Sequence, residues 1–267
     1  MIADDKFKRL LETNLRFDGI IAALVALMTA STVGLYIYVR RKMQKGAFTF
    51  NQVSPLKLDG WEVFSLIFLL ALLEMQRETA ILFYPATILG VVFLLRNKAE
   101  LHLHEFWGVN RLKRWQIPLL SLWLCLVAFS FMTPISIAVG WLSDIMNTPV
   151  QAQDSVNLLF DSHDKFQVIW LLFSVAILAP MAEEMLFRGL LYPFFKARIP
   201  SILALVLTSL LFALVHFDRF TFIQLFFFAM FLGSIFEHTG SLPLCIGLHM
   251  TFNICNAIWL LVLKYIP

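Results

Sequence analysis

The chain has 267 residues, of which 60% are hydrophobic and only 15% charged, with a formal net charge of +3 and a mean hydropathy of +0.78. A soluble domain of this size needs far more charge to cover its surface, so a soluble enzyme or binding module is excluded. The small positive balance is what the cytoplasmic loops of a membrane protein supply, and it gives no reason to expect a nucleic-acid partner.

Apolar runs of about 20 residues recur, the length that crosses a bilayer core. The alternating segments of an outer-membrane barrel are absent. The predicted fold is all-α: a polytopic transmembrane helical bundle of about eight spans, hence a multi-pass integral membrane protein (in the cell membrane if prokaryotic) whose constant partners are membrane lipids. Three regions follow. Residues 1–18 mix charges with Phe7, Leu10, Leu11, Leu15 and Phe17 and read as a short interfacial segment. Residues 19–159 hold four spans without a chemical motif, at 19–39, 57–75, 79–95 and 116–139. Residues 160–267 hold four more, at 166–195, 200–217, 220–236 and 243–264.

The first span ends in Arg40-Arg41-Lys42, a basic stop flank, and is too long for a signal-peptide core. Only the charged turn Glu74-Met75-Gln76-Arg77-Glu78 separates the second span from the third. Segments 40–57 and 96–114 are rich in Lys and Arg and are expected inside. Segment 140–165, with Asp144, Asp154, Asp161 and Asp164 against Lys165, is expected outside. This places the N-terminus outside. Cys125, Cys245 and Cys255 lie in or near apolar spans, with no spacing for a disulfide or a zinc site, and read as small buried side chains.

Chemistry concentrates in the last four spans. Glu183 and Glu184 are adjacent carboxylates inside an apolar run, and ionisable residues at membrane depth mark functional sites. Pro180 and Pro193 flank them, predicting a kinked or tilted helix. Arg188 stands four residues after Glu184, on the same helix face, so the two are expected to pair. Glu183 is rotated about 100° away and is left to act as a general base. His216, in the next span, and Glu183 each lie about 16 positions from the Ile199-Pro200 turn, which puts them at matched depth on antiparallel helices. His249 and Asn253 share a face of the last span and can donate to an oxyanion, orient a water or help hold a metal. His249 follows Pro243 closely, which draws it shallower than His216. His102, His104 and His163 read as solvated loop residues and His238 as a turn residue. Phe226-Phe227-Phe228 reads as a lipid-facing or packing run.

Glu183-Glu184-Met185-Leu186-Phe187-Arg188, Phe212-Ala213-Leu214-Val215-His216 and His249-Met250-Thr251-Phe252-Asn253 resemble the EExxxR, FxxxH and HxxxN motifs of the CPBP family. These are the CAAX-protease and bacteriocin-processing intramembrane proteases, also called Abi. The turn Thr239-Gly240-Ser241-Leu242 before the third motif matches as well. The resemblance covers about residues 160–265 and marks 160–267 as a catalytic core. It implies a helical-bundle endopeptidase related to the type II CAAX prenyl endopeptidase, which removes the three residues after a prenylated cysteine. The implied catalytic residues are Glu183, His216, His249 and Asn253. Glu183 and His216 would activate the water, and His249 and Asn253 would hold the oxyanion, with Glu184 and Arg188 supporting them. It implies a membrane-associated or lipidated peptide or protein as substrate. Hydrolysis without a metal cofactor is the favoured mode; zinc held by Glu183, His216 and His249 is the alternative. Two other classes compete: a non-catalytic binding or bacteriocin-immunity protein keeping the same fold, and an ion-coupled transporter, which lacks the inverted repeat such proteins carry.

Overall fold

The computed structural model describes residues 15–44, 52–74, 80–96, 112–147, 154–162, 164–216, 218 and 220–265. Nine helices follow one another among them: α1 Leu15–Gln44, α2 Gly60–Glu74, α3 Ala80–Arg96, α4 Gln116–Ile145, α5 Asp154–Asp161, α6 Lys165–Lys196, α7 Ser201–Leu214, α8 Phe222–Thr239 and α9 Leu242–Tyr265. The fold is all-α. Five helices, α1, α4, α6, α8 and α9, are long and apolar enough to cross a membrane. The other apolar helices are shorter, with 15 residues in α2, 17 in α3 and 14 in α7. Each expected apolar segment coincides with a helix. Of the segment 1–18, residues 15–18 open α1, and the rest lies outside the described residues. So do residues 75–78 of the charged turn, His102, His104 and His163.

One helix was not expected. α5 forms within the acidic segment, and Lys264 near the end of α9 donates to the carbonyls of Leu159 and Ser162 at its C-terminus. A cation there offsets the carbonyls that a helix end leaves unpaired.

The helices approach closely where side chains are small. A Cβ on Gly233 of α8 would stand 2.3 Å from Leu205 of α7, and one on Gly247 of α9 would stand 2.6 Å from Ser121 Oγ of α4. Small residues at such crossings let backbones meet without lipid between them. α1 packs on α4 and joins it through a 2.5 Å contact between the hydroxyls of Thr32 and Ser130. Elsewhere α1 presents Leu24, Val25, Leu27 and Tyr36 outward, as a lipid-facing helix does.

α6 is the spine of the motif region, packed by α3 and α9. Asp164 caps its start, its side chain accepting from Phe166 N–H at 2.9 Å. The helix is not regular. Ser174–Leu178 and Met185–Leu191 wind as π-helix, and each stretch closes just ahead of a proline. Ala179 N–H reaches back five residues to Ser174 O, and Tyr192 N–H reaches back to Phe187 O. The next amides in that register would be Pro180 and Pro193, which have no proton. Around the carboxylates the helix thus widens into two π stretches, each ahead of one of the two prolines.

The α8–α9 turn is sunk into the protein. Gly240 takes the left-handed conformation at φ 61° and donates to Phe236 O at 2.7 Å, ending α8. Ser241, Leu242, Leu244 and Cys245 directly after it are all buried. Residues 52–58 run beneath this end as an extended strap, burying Val53, Leu56 and Leu58. Gln52 N–H donates to Glu237 O at 3.1 Å, and Leu56 N–H to Pro193 O at 2.9 Å.

Candidate functional site

Glu184 stands about 18 Å along α6 from Lys196 and farther from Lys165, so its depth within the bundle is set by the helix itself. It is 0% exposed. Its Oε1 accepts from Arg188 Nη1 at 2.9 Å and from His249 Nδ1 at 2.8 Å. The expected i,i+4 pair is thus present, and α9 adds a third member. Arg188 also donates through Nη2 to the carbonyl of Ala229 in α8 at 3.0 Å, and its guanidinium lies 4.8 Å from the Phe212 ring centroid. Glu184 Oε2 is buried without a hydrogen-bond partner.

Glu183 behaves differently. Its side chain is 14% exposed, and Oε2 lies 3.8 Å from His249 Nε2. One imidazole therefore stands between two carboxylates. A carboxylate held by an arginine is an acceptor, so Nδ1 of His249 carries the proton shared with Glu184, and Nε2 faces Glu183. Arg188 sets its fixed positive charge against this pair of carboxylates, and His249 bridges the two.

His216 sits in the turn just past α7. Its Nδ1 is 2.6 Å from Phe212 O. A carbonyl only accepts, so Nδ1 carries a proton, and in the neutral ring Nε2 is the acceptor. The Phe212 ring gathers the motifs. Its centroid is 4.8 Å from the His216 ring and 6.1 Å from the His249 ring, and it carries Arg188 on its face.

Asn253 has a different partner from the one its spacing suggests. Its Nδ2 donates to Val175 O at 2.9 Å. That carbonyl lies in the first π stretch, in the register that the proton-less amide of Pro180 would have served. The asparagine thus completes the backbone of α6 and fixes α9 against it. The shallow placement expected for His249 is also revised. Because α9 begins at a sunk turn, seven residues bring His249 to the carboxylates rather than to the surface.

Several contributors went unread in the sequence. Phe228, expected to be part of a lipid-facing or packing run, is buried and meets the His249 ring edge-on at 5.2 Å. Below the site lies a second charged cluster: Glu237 of α8 is 0% exposed, accepts from Tyr192 Oη at 2.7 Å and from Lys196 Nζ at 2.6 Å, and Lys196 also donates to Val53 O at 2.7 Å. A lone glutamate inside an apolar run was the available signal. His238 instead meets the Tyr38 ring edge-on at 6.4 Å. Among the described residues, no three His, Cys, Asp or Glu side chains are arranged to hold a metal ion.

An all-α protein with five helices able to cross a membrane and buried carboxylates between them belongs to the class of helical membrane proteins with an interior polar centre. Residues 165–255 match the family model described as Type II CAAX prenyl endopeptidase Rce1-like, and that segment is a domain of this family. All seven residues fixed by the three motifs fall inside it. Neither a curated protein nor a solved structure matches the chain.

Proposed function

We propose that this protein is a multi-pass intramembrane endopeptidase in which Glu183 activates the hydrolytic water. The observation that carries the reading is the division between two adjacent carboxylates: Glu184 is sealed and held by Arg188 and His249, while Glu183 is partly open and faces His249 Nε2 at 3.8 Å. Glu183 takes a proton from water as the oxygen attacks the peptide carbonyl. Nε2 of His216, left as an acceptor by its bond to Phe212 O, helps orient that water. The tetrahedral intermediate collapses, and the departing nitrogen receives its proton through His249, whose ring Glu184 keeps aligned. Water is consumed and a new carboxylate and a new amine leave. With Nδ1–H committed to Glu184, His249 serves proton transfer better than the oxyanion role its spacing suggests.

The substrate is a membrane-associated peptide or protein. Prenylated CAAX-type chains are the first class to try, since the family description names them. α2, α3 and α7 complete about eight spans, with the basic segments inside. The donor set does not favour zinc: His249 has given Nδ1 to Glu184, and among the described residues no third ligand joins Glu183 and His249. No step is routed through a metal.

The deciding experiment presents lipidated and transmembrane peptides to purified protein beside a Glu183→Gln control. Cleavage by the wild type alone supports the reading. Cleavage by both removes Glu183 from the mechanism, and cleavage by neither favours a binding or immunity protein. Elemental analysis with activity before and after chelation accompanies it. Stoichiometric zinc whose removal and return switch cleavage off and on would replace the metal-free mechanism.

A further inference from the structure

The motif helices leave few polar hydrogens to spend on a substrate. His249 Nδ1–H is given to Glu184, and Arg188 is divided between Glu184 and Ala229 O. His216 Nδ1–H is given to Phe212 O, and the Asn253 amide to Val175 O. A peptide carbonyl turning into an oxyanion needs a donor aimed at it, worth more in a dry site than in water.

α3 supplies one. It lies outside the family-matching segment yet packs along α6 over both π stretches and the Ala179–Glu184 turn between them. Its inward face reads Tyr84, Thr87, Val91 and Leu94, at helical spacing, with the last three buried. Two hydroxyls in an otherwise apolar helix therefore face the carboxylate-bearing one. Thr87 Oγ1 is buried and has no hydrogen-bond partner. Helical threonines elsewhere in the protein, Thr29, Thr133, Thr208 and Thr251, turn their hydroxyls onto the carbonyl four residues back. Thr87 does not. One turn before it, the half-buried Tyr84 phenol lies within electrostatic reach of the Glu183 carboxylate, and no hydrogen bond joins the two. An O–H on the wall that packs against the carboxylate-bearing helix, near the proposed base and not consumed by it, is placed for the substrate carbonyl.

We propose that Tyr84 is the oxyanion donor of this site, supplied by a helix outside the family domain, with Thr87 as the neighbouring polar group on the same wall. The inference rests on the endopeptidase reading. The phenol keeps its proton throughout: its O–H donates a hydrogen bond to the carbonyl oxygen as that oxygen gains charge, and the bond weakens when the carbonyl reforms.

The test uses full-length Tyr84→Phe, which keeps the ring and removes only the hydroxyl, beside wild type and Glu183→Gln. The expected result is a fall in kcat of about 10²–10³-fold, with KM and thermal stability in detergent unchanged. A scissile thioamide, whose sulfur is a weak acceptor, gives a readout that packing alone would not move. Wild type prefers the oxygen substrate strongly, and Tyr84→Phe loses most of that preference. Wild-type kcat in Tyr84→Phe while Glu183→Gln is inactive overturns the donor and leaves the endopeptidase standing. A slow Tyr84→Phe that keeps the full oxygen preference also overturns it. Full cleavage by Glu183→Gln, or none by wild type, fails the endopeptidase reading and the donor with it.

Discussion

Two buried glutamates stand on either side of the second π stretch and face opposite fates. Glu237 is satisfied at both oxygens, by Tyr192 and Lys196, and the lysine is anchored again on Val53 O. Glu184 holds Arg188 and His249 on one oxygen, leaves the other without a partner, and has a second carboxylate beside it. Both are wholly buried, and both draw their cation from α6. The difference lies in what remains unspent. A network with every donor and acceptor matched rigidifies a fold and does no chemistry. One that leaves a carboxylate open beside an imidazole keeps capacity for a reacting water.

Four changes separate these centres. The largest effect is expected from Glu183→Gln, which should lower peptide cleavage by about 10²–10⁴-fold with stability unaltered; steady-state kinetics per folded molecule checks it. Arg188→Ala comes next. It leaves Glu184 buried and short of its cation, which should lower stability by roughly 3–5 kcal/mol and cleavage with it, as read by unfolding in detergent. If unfolding is unmoved, Arg188 does not carry the charge of the upper centre. Tyr192→Phe should reverse the pattern. Loss of a hydrogen bond to the Glu237 carboxylate is worth about 1.5–3 kcal/mol of stability, yet kcat should hold at the wild-type value, and a fall in kcat would erase the distinction between the two centres. Asn253→Ala should lower stability by about 1–3 kcal/mol, because it returns Val175 O to an unpaired state; unfolding in detergent checks it. Asn253→Gln, which retains an amide donor, should keep more of that stability than Asn253→Asp, whose carboxylate only accepts.

Hydropathy located the helices because a span announces itself over twenty residues, and no single contact decides it. The Glu184–Arg188 pair was legible for a similar reason: it is local, and helical spacing alone brings the groups together. The contact of His249 with Glu184 was not, since it depends on a turn that starts below the surface. Nothing in Thr239-Gly240-Ser241-Leu242 says how deep that turn lies; the burial comes from the strap, whose residues are far away in the chain. The π stretches were hidden too. Pro180 and Pro193 signal that an amide is missing, but whether the helix kinks or widens depends on a partner such as Asn253 accepting the register change. Glu237 was overlooked because it adjoins a turn, where acids are ordinarily hydrated. Tyr84 was unread because an aromatic in an apolar span is ordinarily packing.

The strap also has a meaning in time. Lys196 precedes Glu237 by 41 residues and follows Val53 by 143. At synthesis rates of about 5–20 residues per second, the lysine emerges roughly 2–8 s before its carboxylate. Of the two partners that Lys196 has among the described residues, Val53 is synthesised before it and Glu237 after it. If the strap works as a berth, it receives the end of α6 first, and α8 then arrives at a site where a cation is already in position. Nascent chains halted before and after α8 would differ at Lys196, with amine-reactive labelling strong in the first and suppressed in the second.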